Sequence, residues 1–274
     1  MKSVSGKLIE TLRSKRCFIC DMDGVIYHGN NLLHGVHEFL HEINRLGINF
    51  LFLTNASSRS PKELQQKLSR MGIEMDESNF YTSALATASF LSSQNPGCSA
   101  YVIGDAGLTN ALYDVGIHMD EVSPDYVVVG DTRTYNFEKL ESAIRLVLAG
   151  AKLIGANYDL TGPTESGIVP ATRALIAPIE MATGRKAYYI GKPNPLMMRT
   201  AMAKLKCSPE ETVIVGDRMD TDIIAGIESE IDTILVLSGV TASEDLSAFP
   251  YRPGYVVEDV GVIAGIMSNI ASIS

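Results

Sequence analysis

The sequence predicts an α/β fold, a parallel sheet covered by helices on both faces, and three observations carry that prediction. Short β-branched or apolar runs alternate with stretches of helical periodicity. Polar clusters sit at or just after those runs, where open parallel sheets bind their ligands. The chain has 274 residues, 46% of them hydrophobic, enough to bury a substantial core in one large domain or two smaller ones.

In chain order, the first predicted strand is Phe18–Cys20, which empties into Asp21-Met22-Asp23-Gly24. Alternate residues of an extended segment point the same way, so Asp21 and Asp23 can crowd one small volume while Gly24 lets the backbone turn away. Two carboxylates so close repel unless a cation or a proton relieves them, which makes the pair a candidate site for a divalent cation. A solvated turn closing the strand is the plainer alternative. Cys17 and Cys20 form a C-x-x-C, but residues three apart on a strand face opposite ways, so both read as small core hydrophobes. In the next segment Val36, Phe39, Leu40 and Ile43 form a helical apolar stripe. The His34, His37, His41 series beside Glu38 and Glu42 therefore reads as a solvated face rather than a metal face.

The second predicted strand, Phe50–Leu53, leads into Thr54-Asn55-Ala56-Ser57-Ser58, a hydroxyl, an amide and backbone N–H groups able to hold phosphate oxygens. Ser60-Pro61-Lys62-Glu63 then supplies an N-cap, a proline at the first helical position and a capping-box glutamate, for a helix that stops at Gly72. Further strands are predicted at 101–103, 126–129, 153–156 and 188–190. After the last of these comes Gly191-Lys192-Pro193-Asn194-Pro195, two prolines stiffening a loop around one lysine, whose ammonium can neutralise charge without moving. Asn194-Pro195 opens a helix with Met197, Ala201 and Leu205 on one face. A strand at 213–215 leads into Gly216-Asp217-Arg218-Met219-Asp220-Thr221-Asp222, a second acidic cluster, and one more strand is predicted at 234–237. No repeat, low-complexity tract or linker interrupts the pattern.

Composition narrows the partners. A formal charge of -9 opposes approach to nucleic-acid polymers and anionic membrane surfaces, while a small phosphorylated molecule remains compatible if the site supplies local cations. The N-terminal residues lead into no apolar stretch of signal-peptide length and no run is long enough to span a bilayer, so a soluble cytoplasmic protein is expected. Four cysteines fit a reducing compartment with no disulfide framework.

Singly, a Thr-Asn after a strand is a helix cap, a Gly-Lys-Pro a surface turn and a Gly-Asp a plain turn. As an ordered set, Asp-x-Asp-Gly, Thr-Asn, Lys and Gly-Asp-x-x-x-x-Asp resemble the motif series of the haloacid dehalogenase superfamily, and of its phosphatases in particular. Phe80-Tyr81-Thr82-Ser83-Ala84, Val129-Gly130-Asp131-Thr132-Arg133, Tyr189-Ile190-Gly191-Lys192-Pro193, Glu211 to Asp217 and Leu235 to Val240 extend the likeness over nearly the whole chain, and are similar to the NagD-type nucleotide phosphatases with a class IIA cap. The resemblance implies a Rossmann-like core from residues 1–81 and 186–274 and a large inserted α/β cap at 82–185, which closes over the site and can mediate a homo-oligomer. It makes Asp21 the nucleophile and Asp23 the general acid and base. Mg²⁺ would be held by Asp21, the Asp23 carbonyl and Asp217, supported by Asp222; Thr54, Asn55, Lys192 and the strip Arg218, Met219, Asp220 and Thr221 would hold the substrate.

The implied activity is Mg²⁺-dependent hydrolysis of small phosphate monoesters, foremost nucleoside 5′-monophosphates such as UMP or GMP; a sugar phosphate, glycerol phosphate or pyridoxal phosphate is the alternative. Asn157-Tyr158-Asp159 with Thr161-Gly162-Pro163 is the candidate specificity loop. A phospho-receiver signalling module combines the same residue types, but it is about half this length and its acceptor follows a middle strand. A dinucleotide site is disfavoured because Gly104-Asp105-Ala106-Gly107 lacks the three-glycine spacing that admits a pyrophosphate.

Overall fold

The computed structural model describes residues 2–164 and 167–271. In chain order its strands are β1 (Cys17–Cys20), β2 (Tyr27–His28), β3 (Asn31–Leu32), β4 (Asn49–Thr54), β5 (Phe80–Thr82), β6 (Ser99–Ile103), β7 (His118–Met119), β8 (Tyr126–Val129), β9 (Lys152–Gly155), β10 (Thr161–Thr164), β11 (Gly167–Pro170), β12 (Tyr188–Tyr189), β13 (Thr212–Gly216), β14 (Asp232–Val236) and β15 (Tyr255–Val257). The chain forms two compact units: residues up to Leu53, Lys67–Phe80 and from Met198 onward make the first, and Thr54–Gln66 with Tyr81–Met197 the second.

The first unit is built on a sheet of order β15-β14-β13-β1-β4-β5, in which β15, β14, β13, β1 and β4 run parallel. β1 lies between β13 and β4, with Cys20 opposite Val215 on one side and Phe52 on the other. All four residues of β1 are buried, as expected of a central parallel strand with both faces covered. Phe39 of the helix Val36–Arg45 packs on Phe18 and Phe50 at ring-centroid distances of 6.0 and 6.1 Å, and Phe52 stacks on Phe80 at 5.1 Å. That helix buries Val36, Phe39, Leu40 and Ile43 and exposes His37, Glu38 and His41, the solvated face the sequence predicts.

The second unit carries its own parallel sheet, order β12-β9-β8-β6-β7. Val127 and Val129 of β8 pack against Ala143 and Leu146 of the helix Phe137–Leu148 and Ile176 and Ile179 of the helix Thr172–Thr183. β10 and β11 form a separate antiparallel hairpin. Among the described residues no helix is long and apolar enough to cross a membrane.

One expectation needs correction. Instead of four free thiols, Cys17 pairs with Cys207 as a disulfide, at a Cα–Cα distance of 6.5 Å, while Cys20 and Cys98 stay free and buried. The period-two argument separates Cys17 from Cys20 but is silent about residues far along the chain. Cys17 lies opposite Asn49 in the sheet, and the Asn49 amide donates to the Leu205 carbonyl at 3.3 Å, which brings the turn containing Cys207 alongside.

The predicted capping box is present at the start of the helix Pro61–Arg70. Ser60 N–H donates to Glu63 Oε2 at 2.7 Å, and Glu63 N–H donates to Ser60 Oγ at 3.3 Å. The backbone and hydroxyl donors of Ser60 hold the Glu63 carboxyl below its ordinary range. A carboxyl whose pKa is depressed in the folded state stabilises above its unfolded pKa and loses that contribution as pH falls through the folded one. Ser60→Ala is expected to cost about 1 kcal/mol at neutral pH. The difference between wild type and Glu63→Gln should shrink on acidification, as read from urea unfolding across that range.

Candidate active site

In the first unit, strand order brings the acidic clusters together. Asp21 directly follows β1 and Asp217 directly follows the neighbouring β13, and the Asp21 N–H donates to the Val215 carbonyl at 2.9 Å, extending the pairing one residue past β1. Carboxylate oxygens of Asp21, Asp217 and Asp222 lie within 4.8 Å of one another. Asp21 is 9% exposed, Asp217 1% and Asp222 fully buried.

Backbone groups hold two of these carboxylates. Asp217 Oδ2 accepts from Val240 N–H at 2.7 Å, and Asp222 Oδ2 accepts from Arg218 N–H at 3.2 Å. Three glycines make the room: a Cβ at Gly24 or Gly239 would collide with the Asp217 carboxylate, and one at Gly216 with that of Asp222. Gly24 also has φ +81°, a conformation that favours glycine. Three largely buried carboxylates in so small a volume need positive charge among them, and an all-oxygen donor set suits a hard divalent cation.

Asp23 is not among the three clustered carboxylates; its side chain is 43% exposed, with His28 Nδ1 3.9 Å from Oδ1. Gly24 N–H donates to the Tyr27 carbonyl at 2.8 Å, closing the turn that leads into the β2–β3 hairpin.

The strip from Arg218 to Thr221 does not form the single substrate face that the resemblance implies. Arg218 makes a two-pronged ion pair with Asp220, at 3.0 and 2.9 Å. Met219 is fully buried against Ile223 and Leu235, with its N–H given to Thr241 Oγ1 and its carbonyl accepting from Tyr251 OH, so it has no side-chain surface for a substrate. Thr221 is 4% exposed.

The second unit holds the remaining candidates. Thr54 ends β4, and its Oγ1 accepts from Ala56 N–H at 3.1 Å, a bond that does not use the hydroxyl proton. Asn55 grips the backbone of Lys192 at both ends: Oδ1 accepts from Lys192 N–H at 2.7 Å and Nδ2 donates to the Lys192 carbonyl at 3.0 Å. The same Nδ2 donates to the Asp159 carboxylate at 3.2 Å. Both amide protons of Asn55 are thereby engaged within the protein, and its side chain holds the Lys192 backbone. Lys192 itself is 2% exposed.

The loop after β9 builds an aromatic platform. The Arg173 guanidinium lies 4.1 Å over the Tyr158 ring, and Tyr158 meets Tyr189 edge-on at 5.0 Å. Burial pushes the Tyr189 phenol up to about 12, so it stays neutral through the physiological range. Sequence reasoning placed Asn157 in a candidate specificity loop and Ser57 in a phosphate-holding cluster, and gave Asp131 no role of its own; the structure links the three to one another. The signal was present, since Asp131 and Asn157 each stand just beyond a strand end.

Residues 18–118 match the haloacid dehalogenase-like hydrolase family, and residues 189–263 a second hydrolase family of the same kind. The chain is similar to the dihydroxyacetone phosphatase of Corynebacterium glutamicum, 42% identical over 247 residues that cover 90% of both chains. It is 43% identical to the ribonucleotide monophosphatase NagD of Escherichia coli over 89% of this chain and 96% of that one. Among solved structures, the 4-nitrophenylphosphatase of Thermotoga maritima superposes with a TM-score of 0.90 at 34% identity, over 93% of this chain and 98% of that one.

Divalent-cation binding should depend on the shape of the cluster as well as its charge. Gly239→Ala alters no carboxylate, yet it is expected to weaken divalent-cation binding by about tenfold or more by displacing Asp217, and Asp217→Asn is expected to do the same. Calorimetric titration of both variants, with unfolding curves to confirm that they are folded, checks this.

Proposed function

The chain belongs to the haloacid dehalogenase-like hydrolases and is a phosphatase of that family, and from this premise we propose that it hydrolyses small phosphate monoesters, foremost nucleoside 5′-monophosphates, through a phosphorylated Asp21. The observation that carries the reading is the Asp21, Asp217, Asp222 cluster at the carboxyl ends of two adjacent strands. Residues 1–81 and 186–274 are read as the catalytic core and 82–185 as the α/β cap, in a protein working in the cytoplasm.

In this reading an Asp21 carboxylate oxygen attacks phosphorus, the bond to the leaving oxygen breaks, and Asp23 donates its proton to that oxygen. Asp23 then takes a proton from the water that attacks the aspartyl-phosphate, which releases inorganic phosphate and regenerates Asp21. Asp23 thereby ends the cycle protonated, ready for the next leaving group. Bound through Asp21, the Asp23 carbonyl and Asp217, Mg²⁺ supplies the positive charge that lets a carboxylate meet a phosphate. Thr54 and Lys192 are assigned to the phosphoryl group, with Asn55 holding Lys192 in place.

Phosphate monoesters are slow enough unaided that the barrier must fall by about 20 kcal/mol. Proton transfer by Asp23 contributes only about 10²–10⁴-fold, so electrostatic stabilisation and in-line placement carry the larger share.

The likeness to a dihydroxyacetone phosphatase supports a second reading, in which the substrate is a short polyol or sugar phosphate. The Tyr158, Arg173 and Tyr189 platform offers both a flat apolar face and a cation, which accommodates a base or a polar leaving group.

Phosphate release from a panel of nucleoside monophosphates, sugar and triose phosphates and pyridoxal phosphate tests the proposal. Activity should vanish in EDTA, return with Mg²⁺, and be absent in Asp21→Asn; Mg²⁺-independent turnover would sink the reading, and the ranking of the panel decides between the two substrate classes. Asp23→Asn should lose at least about tenfold more on alkyl than on aryl phosphates, because only the poorer leaving group needs the proton. An equal loss on both would remove Asp23 from the acid role.

A further inference from the structure

The second unit contains a polar hub, a half-buried aspartate with buried partners, that the proposed chemistry does not use. Asp131 stands two residues past β8, and its two oxygens accept from five donors. Oδ2 takes Ser57 N–H at 3.1 Å, Ser57 Oγ at 3.0 Å and Asn157 Nδ2 at 3.0 Å. Oδ1 takes Thr172 N–H at 3.2 Å and Thr172 Oγ1 at 2.9 Å. Asp131 N–H donates in turn to Ser57 Oγ at 2.8 Å. Asn157 also donates to the Asn55 carbonyl at 2.9 Å, and Ser83 Oγ donates to the same carbonyl at 2.6 Å. Asn55 ends the series on both backbone groups of Lys192.

Sheet register assembles this chain of bonds. Val129 of β8 lies opposite Gly155 of β9, which lies opposite Tyr189 of β12, so Asp131, Asn157 and Lys192 leave three neighbouring strands at the same end. Two glycines permit the close approach: a Cβ at Gly130 would lie 2.7 Å from Ser57 Oγ, and one at Gly191 2.6 Å from Asn55 Oδ1. Ser57, Thr172 and Asn157 are at most 1% exposed. Charge-assisted bonds in such surroundings are stronger than in water and fix side-chain geometry tightly.

The same unit provides a comparison. Asp125 Oδ2 accepts from Ser99 N–H at 2.8 Å and Ser99 Oγ at 3.1 Å, and Asp125 N–H donates back to Ser99 Oγ at 3.1 Å. That is the same reciprocal serine latch, at the opposite end of β8, and among the described bonds it has no connection to Asn55 or Lys192. A latch of this kind suffices to pin two strands; the additional bonds from Asn157 and Thr172 need another purpose.

We propose that Asp131 is a positioning residue for phosphate recognition, acting through Asn157 and Asn55 to fix the backbone that presents Lys192. This rests on the assignment of Lys192 to the phosphoryl group. Loss of the relay loosens the grip on phosphate itself and so affects every phosphomonoester alike, whatever its leaving group.

The test compares the full-length wild type with Asp131→Asn, Asn157→Ala and the control Asp125→Asn, all with Mg²⁺. Inorganic-phosphate affinity, kcat and KM on an aryl and a nucleoside phosphate, and thermal unfolding are measured for each. Asp131→Asn and Asn157→Ala should lose at least about tenfold in phosphate affinity and by a similar factor in kcat/KM on both substrates. Asp125→Asn should unfold earlier while keeping both values. If Asp131→Asn fails to fold, Asn157→Ala carries the comparison, because it leaves the Ser57 and Thr172 bonds to Asp131 in place. Unchanged phosphate affinity in folded Asn157→Ala would overturn the inference. A wild type that binds phosphate without hydrolysing any ester would sink the functional reading alone, since the affinity comparison still decides this one.

Discussion

The arrangement that everything else must accommodate is the gathering of Asp21, Asp217 and Asp222 within 4.8 Å. Two unit charges about 4 Å apart repel by roughly 4 kcal/mol where the effective dielectric constant is near 20, and this cluster contains three such pairs. No carboxylate would stay there unless the backbone carrying it were held by something stronger. Here that support is the pairing of β1 with β13, buried on both faces, which fixes where Asp21 and Asp217 begin. The glycines at 24, 216 and 239 are the steric counterpart, since each stands where any side chain would displace a carboxylate. An arrangement held in this way is suited to a divalent cation, whose charge would offset the repulsion.

The second unit handles a buried charge differently. Lys192 is presented by its backbone, clasped between the two functional groups of one asparagine amide. An amide can satisfy an N–H and a carbonyl at once without adding charge, whereas a carboxylate could satisfy only the N–H. This explains why the residue after Thr54 is Asn in chemical terms. One motif thus contains two roles: the Thr54 hydroxyl oxygen accepts from its own turn, and the Asn55 amide clasps the Lys192 backbone.

What could be read in the sequence was whatever is local along the chain. β1, β4, β8 and β13 show themselves as apolar runs, and the acidic clusters are legible because their members are close in sequence. The helix Pro61–Arg70 was legible for the same reason, as its cap lies within four residues. β5, β7 and β15 were not, because two or three residues at or near a sheet edge leave too short a pattern to separate from a loop. The Cys17 to Cys207 pairing spans 190 residues, and the Ser57 to Asp131 bonds span 74, so neither has a local signature. Adjacency in a motif does not fix direction: Arg218 pairs with Asp220 and Met219 turns into the core.

The two serine latches show why residue type alone does not reveal role. Ser57 with Asp131 and Ser99 with Asp125 make the same three bonds with nearly the same lengths. They differ in what is left over. Asp125 meets solvent at the amino end of its strand, where a carboxylate's remaining lone pairs are satisfied by water. Asp131 lies at the carboxyl end, where buried Asn157 and Thr172 take those positions and connect onward to Asn55. At Asp131 the protein supplies donors that water supplies at Asp125, and each such donor has its own orientation fixed, which makes the latch one member of a network. Rigidity at Lys192 is thus a consequence of hydrogen-bond satisfaction at residues that never touch it.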